Sequence, residues 1–211
     1  MIEPIEPVEP EASPHAHKDP EGAKIGMWLF LFTEMLLFGG LFLLYSAYRS
    51  RYPKEFHEGG QELNYVLGVA NTLLLLTSSL TVALSITAIQ KGERRLSMIL
   101  VGITVALGLV FLINKGFEWS HEFHEGMYPG SPALSQRPQG LQLFYGLYFT
   151  MTGLHGLHVI AGMSVLFVML VYLANDKIRK DDFIKLENSG LYWHLVDVIW
   201  IFLLPLFYLA A

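Results

Sequence analysis

Two histidines, His155 and His158, lie in the stretch Thr152-Gly153-Leu154-His155-Gly156-Leu157-His158-Val159. This sits inside an apolar run from Leu141 to Ala174 that is long enough to cross a bilayer. Imidazoles at membrane depth are costly, so they must face protein, a partner or water, and on such helices they are able to ligate haem iron. Spaced i and i+3 on one helix face, the two cannot bind opposite faces of a single porphyrin, which leaves His155 with His194 as the open haem geometry. Gly153 and Gly156 flank His155 and Gly162 continues its face, a spacing that lets a neighbouring helix come close.

Other residues carry chemistry of less complete kinds. Glu34 falls within an apolar segment, where an acidic side chain costs about 2.5–3.5 kcal/mol on insertion scales, so it is expected to be neutral, partnered or functional. Lys115 precedes Glu118 and Trp119 by one helical turn, which predicts an intrahelical ion pair capped by an interfacial tryptophan. His121-Glu122-Phe123-His124-Glu125 misses the zinc-hydrolase pattern because Glu125 stands where the second histidine belongs. Glu118-Trp119-Ser120-His121 is one Glu-x-x-His, whereas a di-iron carboxylate site needs two and further glutamates. Trp193, Asp197 and Trp200 share one stripe, with His194 one turn before Asp197. No nucleotide loop or nucleophile elbow occurs, and five spans without an internal repeat do not divide into the halves of a common transporter.

The elements that position these residues follow from composition. The chain has 211 residues, 53% hydrophobic and 16% charged, with no cysteine, and a mean hydropathy of +0.41. That is the composition of an all-α membrane protein, and it excludes disulfides, iron–sulfur clusters and thiolate metal sites. A net charge of -5, concentrated in an acidic N-terminus, argues against nucleic acid as a partner. Residues 1–22 are rich in proline and glutamate and are expected to form a disordered tail, carrying His15 and His17. A bundle of five transmembrane helices is expected over 23–211, with spans near 23–48, 66–89, 96–119, 141–174 and 189–209. Asn71, Ser78, Thr81 and Ser85 give the second span a small polar seam suited to helix packing. Residues 49–64 are expected to be a loop, and Pro205 is expected to kink the last span. With the N-terminus cytoplasmic and the C-terminus periplasmic, nine basic residues fall inside and five outside, as the positive-inside rule favours.

Taken together, five ordered segments resemble the third subunit of the haem–copper oxidases, cytochrome c oxidase subunit III. They are Gly26 to Phe38 with Glu34, Asn71 to Ser79, Lys115 to His121 with Glu118-Trp119, Thr152 to Val159, and Tyr192-Trp193-His194-Leu195-Val196-Asp197-Val198-Ile199-Trp200. The resemblance implies an accessory subunit without a catalytic centre in a complex of aerobic respiration that reduces oxygen and pumps protons. It implies haem and copper on partner subunits and none on this chain, packing against catalytic subunit I, bound phospholipid, and support of proton uptake. Longer family members have seven spans, and five-span members are typical of bacteria, which implies a bacterial inner membrane. On this reading Glu34 has a structural or lipid-facing role, while His155, His158, His194 and Asp197 are interhelical hydrogen-bonding groups. His15 and His17 would be a proton-collecting antenna on the inner side. Two alternatives stay open: the third subunit of a quinol oxidase or nitric-oxide-reductase-associated complex, and a self-sufficient membrane cytochrome or metal oxidase.

Overall fold

The computed structural model describes residues 20–179 and 182–209. Seven helices follow in order: α1 Pro20–Arg51, α2 Pro53–Glu62, α3 Tyr65–Gln90, α4 Arg94–His124, α5 Pro132–Ser135, α6 Gln139–Ala174 and α7 Ile184–Leu204. A π-helical turn, Pro205–Leu209, continues α7. Five of these elements are long and apolar enough to span a membrane. In chain order α3 packs along α4, α4 against α6, α6 against α7, and α7 back against α3, so these four close a ring. α1 leans on α6 and α7 and is the least buried of the five.

The sequence explains this division. On α1 only a narrow stripe is buried, through Leu31, Phe38 and Tyr45 at heptad spacing, while Trp28, Leu29, Leu36 and Leu43 stay exposed. An apolar residue on every face suits a helix surrounded by lipid or by a partner chain, not one in the middle of a bundle. The ring, by contrast, buries small polar groups between its helices. Asn114 donates to Asn71 at 2.9 Å, and Thr81 meets Thr104 at 2.8 Å, both across the α3–α4 contact. The α3–α4 hairpin turns at Gly92, whose φ of 82° is left-handed. Glu93 there donates its backbone N–H to the Ala88 carbonyl, closing the helix end.

Two expectations are revised. Residues 49–64 are not an irregular loop, because Pro53–Glu62 form α2. Its buried face consists of Phe56, Gly59 and Gly60, and a glycine pair hides helical periodicity from a reading based on apolar side chains. Gly59 is needed for the contact, since a Cβ there would lie 2.4 Å from the Phe144 ring. The third span also runs on to His124, past the end expected at 119. Glu122, in that extra turn, is buried at 2% exposure. At the end of α7, Pro205 has no N–H to give to the carbonyl four residues back, and the chain widens into the π turn. That turn leaves the Leu206 carbonyl accepting the Tyr45 hydroxyl from α1.

Candidate functional site

Glu34 and His158 meet between α1 and α6. The His158 Nδ1 lies 2.8 Å from the Leu154 carbonyl, which can only accept, so Nδ1 carries a hydrogen. The Nε2 of a neutral ring is then an acceptor, yet it faces Glu34 Oε2 at 2.8 Å. Two acceptors approach this closely only with a proton between them. The pair therefore holds one proton, either as a carboxyl donating to imidazole or as an imidazolium donating to carboxylate. Both forms have zero net charge, which lowers the cost of placing them at membrane depth. The edge of Phe38 closes over the imidazole, with centroids 5.3 Å apart. The sequence showed no partner for Glu34 on its own helix; its partner comes from α6.

A second cluster surrounds Lys115 of α4, which is 5% exposed. Its ammonium has three hydrogens and three acceptors: Glu118 Oε1 at 3.2 Å, the Tyr148 hydroxyl at 3.0 Å and the Tyr208 hydroxyl at 2.7 Å. Tyr148 donates onward to Glu118 Oε1 at 2.6 Å, and Tyr208 donates to the same oxygen. The rings of Tyr148 and Trp200 lie 4.6 Å and 5.3 Å from the ammonium, close enough for cation–π attraction. Trp119 does not cap this pair as expected. Its ring packs on Phe149, 5.3 Å between centroids, and over Gly153, because the neighbouring position on α4 points toward α6. Its indole N–H has no partner.

Trp193 is the centre of the ring. Its indole N–H donates to the Ser78 hydroxyl at 3.0 Å, and its ring fills the space over two glycines. A Cβ at Gly108 of α4 would lie 2.8 Å from it, and one at Gly162 of α6 would lie 2.9 Å away. Of the glycines near His155, Gly153 is met by the Trp119 ring and Gly162 by the Trp193 ring, and Gly156 has nothing within 4 Å. The neighbouring helices thus come close at Gly153 and Gly162 through a ring, and not at Gly156.

The remaining candidates divide. His194 Nδ1 meets the Ser79 hydroxyl at 2.5 Å, an interhelical bond between α7 and α3. His155 is fully buried, tilted against Trp200 with centroids 5.2 Å apart and edge-on to Phe111 at 5.6 Å, and neither ring nitrogen has a partner. Asp197 is 2% exposed and faces the Ser79 hydroxyl of α3. Its neighbour Ser79 is engaged with His194, just as Trp200 turns its N–H to Thr72 at 3.0 Å and away from His155. His155 therefore does not form the interhelical hydrogen bond expected of it, whereas Asp197 of α7 stands beside the Ser79 hydroxyl of α3. His155 and His194 sit against different partners, one between two aromatic rings and the other on Ser79. Among the described residues no three His, Asp or Glu side chains gather as a metal-binding group. His15 and His17 lie outside the described residues.

Sequence reasoning missed Tyr148 and Tyr208 in the Lys115 cluster and Ser79 beside His194. Tyr148 continues the buried α6 stripe of Thr152, His155, Val159 and Gly162, so helical spacing held that signal. Tyr208 reaches Lys115 only because of the π turn, which no spacing rule anticipates.

Comparison with known proteins completes the picture. The family described as "Cytochrome c oxidase subunit III" matches residues 9–211. A "Probable quinol oxidase subunit 3" of Staphylococcus saprophyticus is 34% identical over 190 residues, covering 89% of each chain. A "Cytochrome c oxidase subunit 3" of Alkalihalophilus pseudofirmus is 35% identical over 89% of this chain and 86% of its own. A "Cytochrome bo(3) ubiquinol oxidase subunit 3" of Pseudomonas aeruginosa is 29% identical over 93% of this chain and 89% of its own.

Proposed function

This chain belongs to the cytochrome c oxidase subunit III family, and from that premise we propose how it serves its complex. It is subunit III of a haem–copper terminal oxidase, either a cytochrome c oxidase or a quinol oxidase. It is a multi-pass protein of the plasma membrane and works in complex with the other oxidase subunits. The observation that carries the proposal is the family match over nearly the whole chain.

In the proposed arrangement the N-terminus is cytoplasmic and the C-terminus periplasmic, in a bacterial inner membrane. Nine inner against five outer basic residues support that orientation. The chain is an accessory subunit that packs on catalytic subunit I, with haem and copper on its partners. An apolar groove of about 500 Å³ between α1 and α7, lined by Leu31, Met35, Phe38, Leu195, Val198 and Phe202, supports a phospholipid acyl chain as ligand. The proton held between Glu34 and His158 supports a part in proton uptake on the inner side. His15 and His17 are assigned to proton collection there. Replacing both with alanine lowers turnover at high pH on this reading, and unchanged turnover removes the assignment.

Cytochrome c is the electron donor on the reading advanced here. The Staphylococcus saprophyticus relative, nearly as similar as that from Alkalihalophilus pseudofirmus, keeps a quinol donor as the second reading. Stripping this subunit from the purified oxidase is expected to shorten the number of turnovers before inactivation, and adding it back with phospholipid is expected to restore them. An oxidase that lasts equally long without it contradicts the accessory role.

A further inference from the structure

His194 gives a polar wall to an otherwise apolar groove. The groove between α1 and α7 holds about 500 Å³, and the His194 imidazole lines it together with Trp28, Phe38, Gly39, Phe42 and Phe202. The ring is half-buried, and its Nδ1 meets the Ser79 hydroxyl at 2.5 Å on α3, a helix that does not line the groove. Among the described residues no protein group bonds Nε2, and this nitrogen is not sealed in as both nitrogens of His155 are. Asp197, 2% exposed, stands beside the same Ser79 hydroxyl. One hydroxyl hydrogen therefore serves this corner. Turned to Asp197, it leaves the ring hydrogen on Nδ1 and makes Nε2 an acceptor; turned to Nδ1, it makes Nε2 an N–H donor.

Glu187 of α7 pairs with Lys24 of α1 at 3.1 Å, which sets the charged level at this end of the groove. His194 lies about 10 Å further along α7 at the helical rise of 1.5 Å per residue. A phospholipid with its headgroup at the charged level passes only methylenes by His194, and these leave Nε2 without a hydrogen bond. We propose that the groove binds an isoprenoid quinone or its quinol, with the headgroup on His194 and the tail running toward Phe42 and Phe202. A quinone carbonyl accepts from the N–H form of Nε2, and a quinol hydroxyl donates to the bare form, so each state of the Ser79 hydrogen has its ligand. The rings of Trp28 and Phe38 suit a flat, ring-bearing head. The groove's volume is that of a site for a small ligand with few polar contacts. The inference rests on the reading of this groove as a lipid site and names the lipid that His194 selects.

The test uses the intact purified oxidase and a short-chain azidoquinone activated by light, with the labelled peptides of this chain identified by mass spectrometry. Label is expected on the segments of α1 and α7 that flank His194, and an excess of unlabelled decylquinone is expected to remove it. His194→Leu takes away the hydrogen bond and keeps an apolar side chain in place. It is expected to lower that label at least tenfold while the number of phospholipids per complex stays the same. Equal saturable labelling of the wild-type and His194→Leu complexes overturns the inference, as does a wild-type chain that takes no label or only label that decylquinone does not displace. A groove that still holds phospholipid, counted by mass, keeps the lipid reading after such a failure; a groove that holds neither ends both. Should His194→Leu fail to assemble, Gly39→Leu decides alone, and unchanged saturable labelling there overturns the inference.

Discussion

Glu34 and His158 are separated by 124 residues in the chain and by 2.8 Å in space, and they are the polar link between α1 and α6. Both side chains are about as little exposed, 15% and 16%. A single proton serves the two, so each residue depends on the other. Glu34→Gln and His158→Gln are each expected to weaken the attachment of α1 by about 1 kcal/mol, within the range of transmembrane hydrogen bonds. The double variant is expected to be no worse than either single one, because both remove the same interaction. A double-mutant cycle in detergent unfolding measures this, and additive losses contradict it.

Lys115 and Glu118 form a buried pair with every ammonium hydrogen used. Removing one partner leaves the other charge uncompensated. Lys115→Met is expected to destabilise the chain by about 3–5 kcal/mol, while Lys115→Met with Glu118→Leu recovers most of the loss. The yield of folded chain in the membrane and its resistance to unfolding in detergent read out both. A double variant as unstable as the single one contradicts the account.

Trp193 occupies space that Gly108 and Gly162 leave open, and Gly156 faces nothing within 4 Å. Alanine at Gly108 or Gly162 is expected to cost about 1–3 kcal/mol by overpacking against a rigid indole. Gly156→Ala, on the same helix as Gly162, is expected to be neutral or slightly stabilising. Thermal unfolding of the three variants distinguishes a packed slot from a general dislike of alanine in α6.

Gly39 lines the groove between α1 and α7, with open space where a side chain would stand. A Cβ at Gly39 meets nothing within 4 Å, so Gly39→Leu carries its side chain into the groove. Fewer phospholipids per complex are expected by mass measurement, with earlier inactivation during turnover. An unchanged lipid count shows that the groove is not a lipid site.

The apolar runs made five spans legible, because a helix that crosses a bilayer needs about 20 apolar residues whatever its partners. Lys115–Glu118 was equally legible, since helical spacing fixes it within one element. What the sequence withheld is the geometry between elements. Nothing near Glu34 names His158, and Tyr208 enters the Lys115 cluster only through the π turn at Pro205. The resemblance implied a hydrogen-bonding role for His155, but the indole beside it turns its N–H to Thr72. α2 escaped notice because two glycines form most of its buried face.

On the proposed function this chain serves the redox centres of its oxidase without holding one. Separating it from its partners in mild detergent and recording its reduced-minus-oxidised absorption spectrum tests that claim directly. A featureless spectrum is expected, with the haem bands remaining on the partner chains. A haem band that stays with this chain contradicts it and makes His155 and His194 the first ligands to replace.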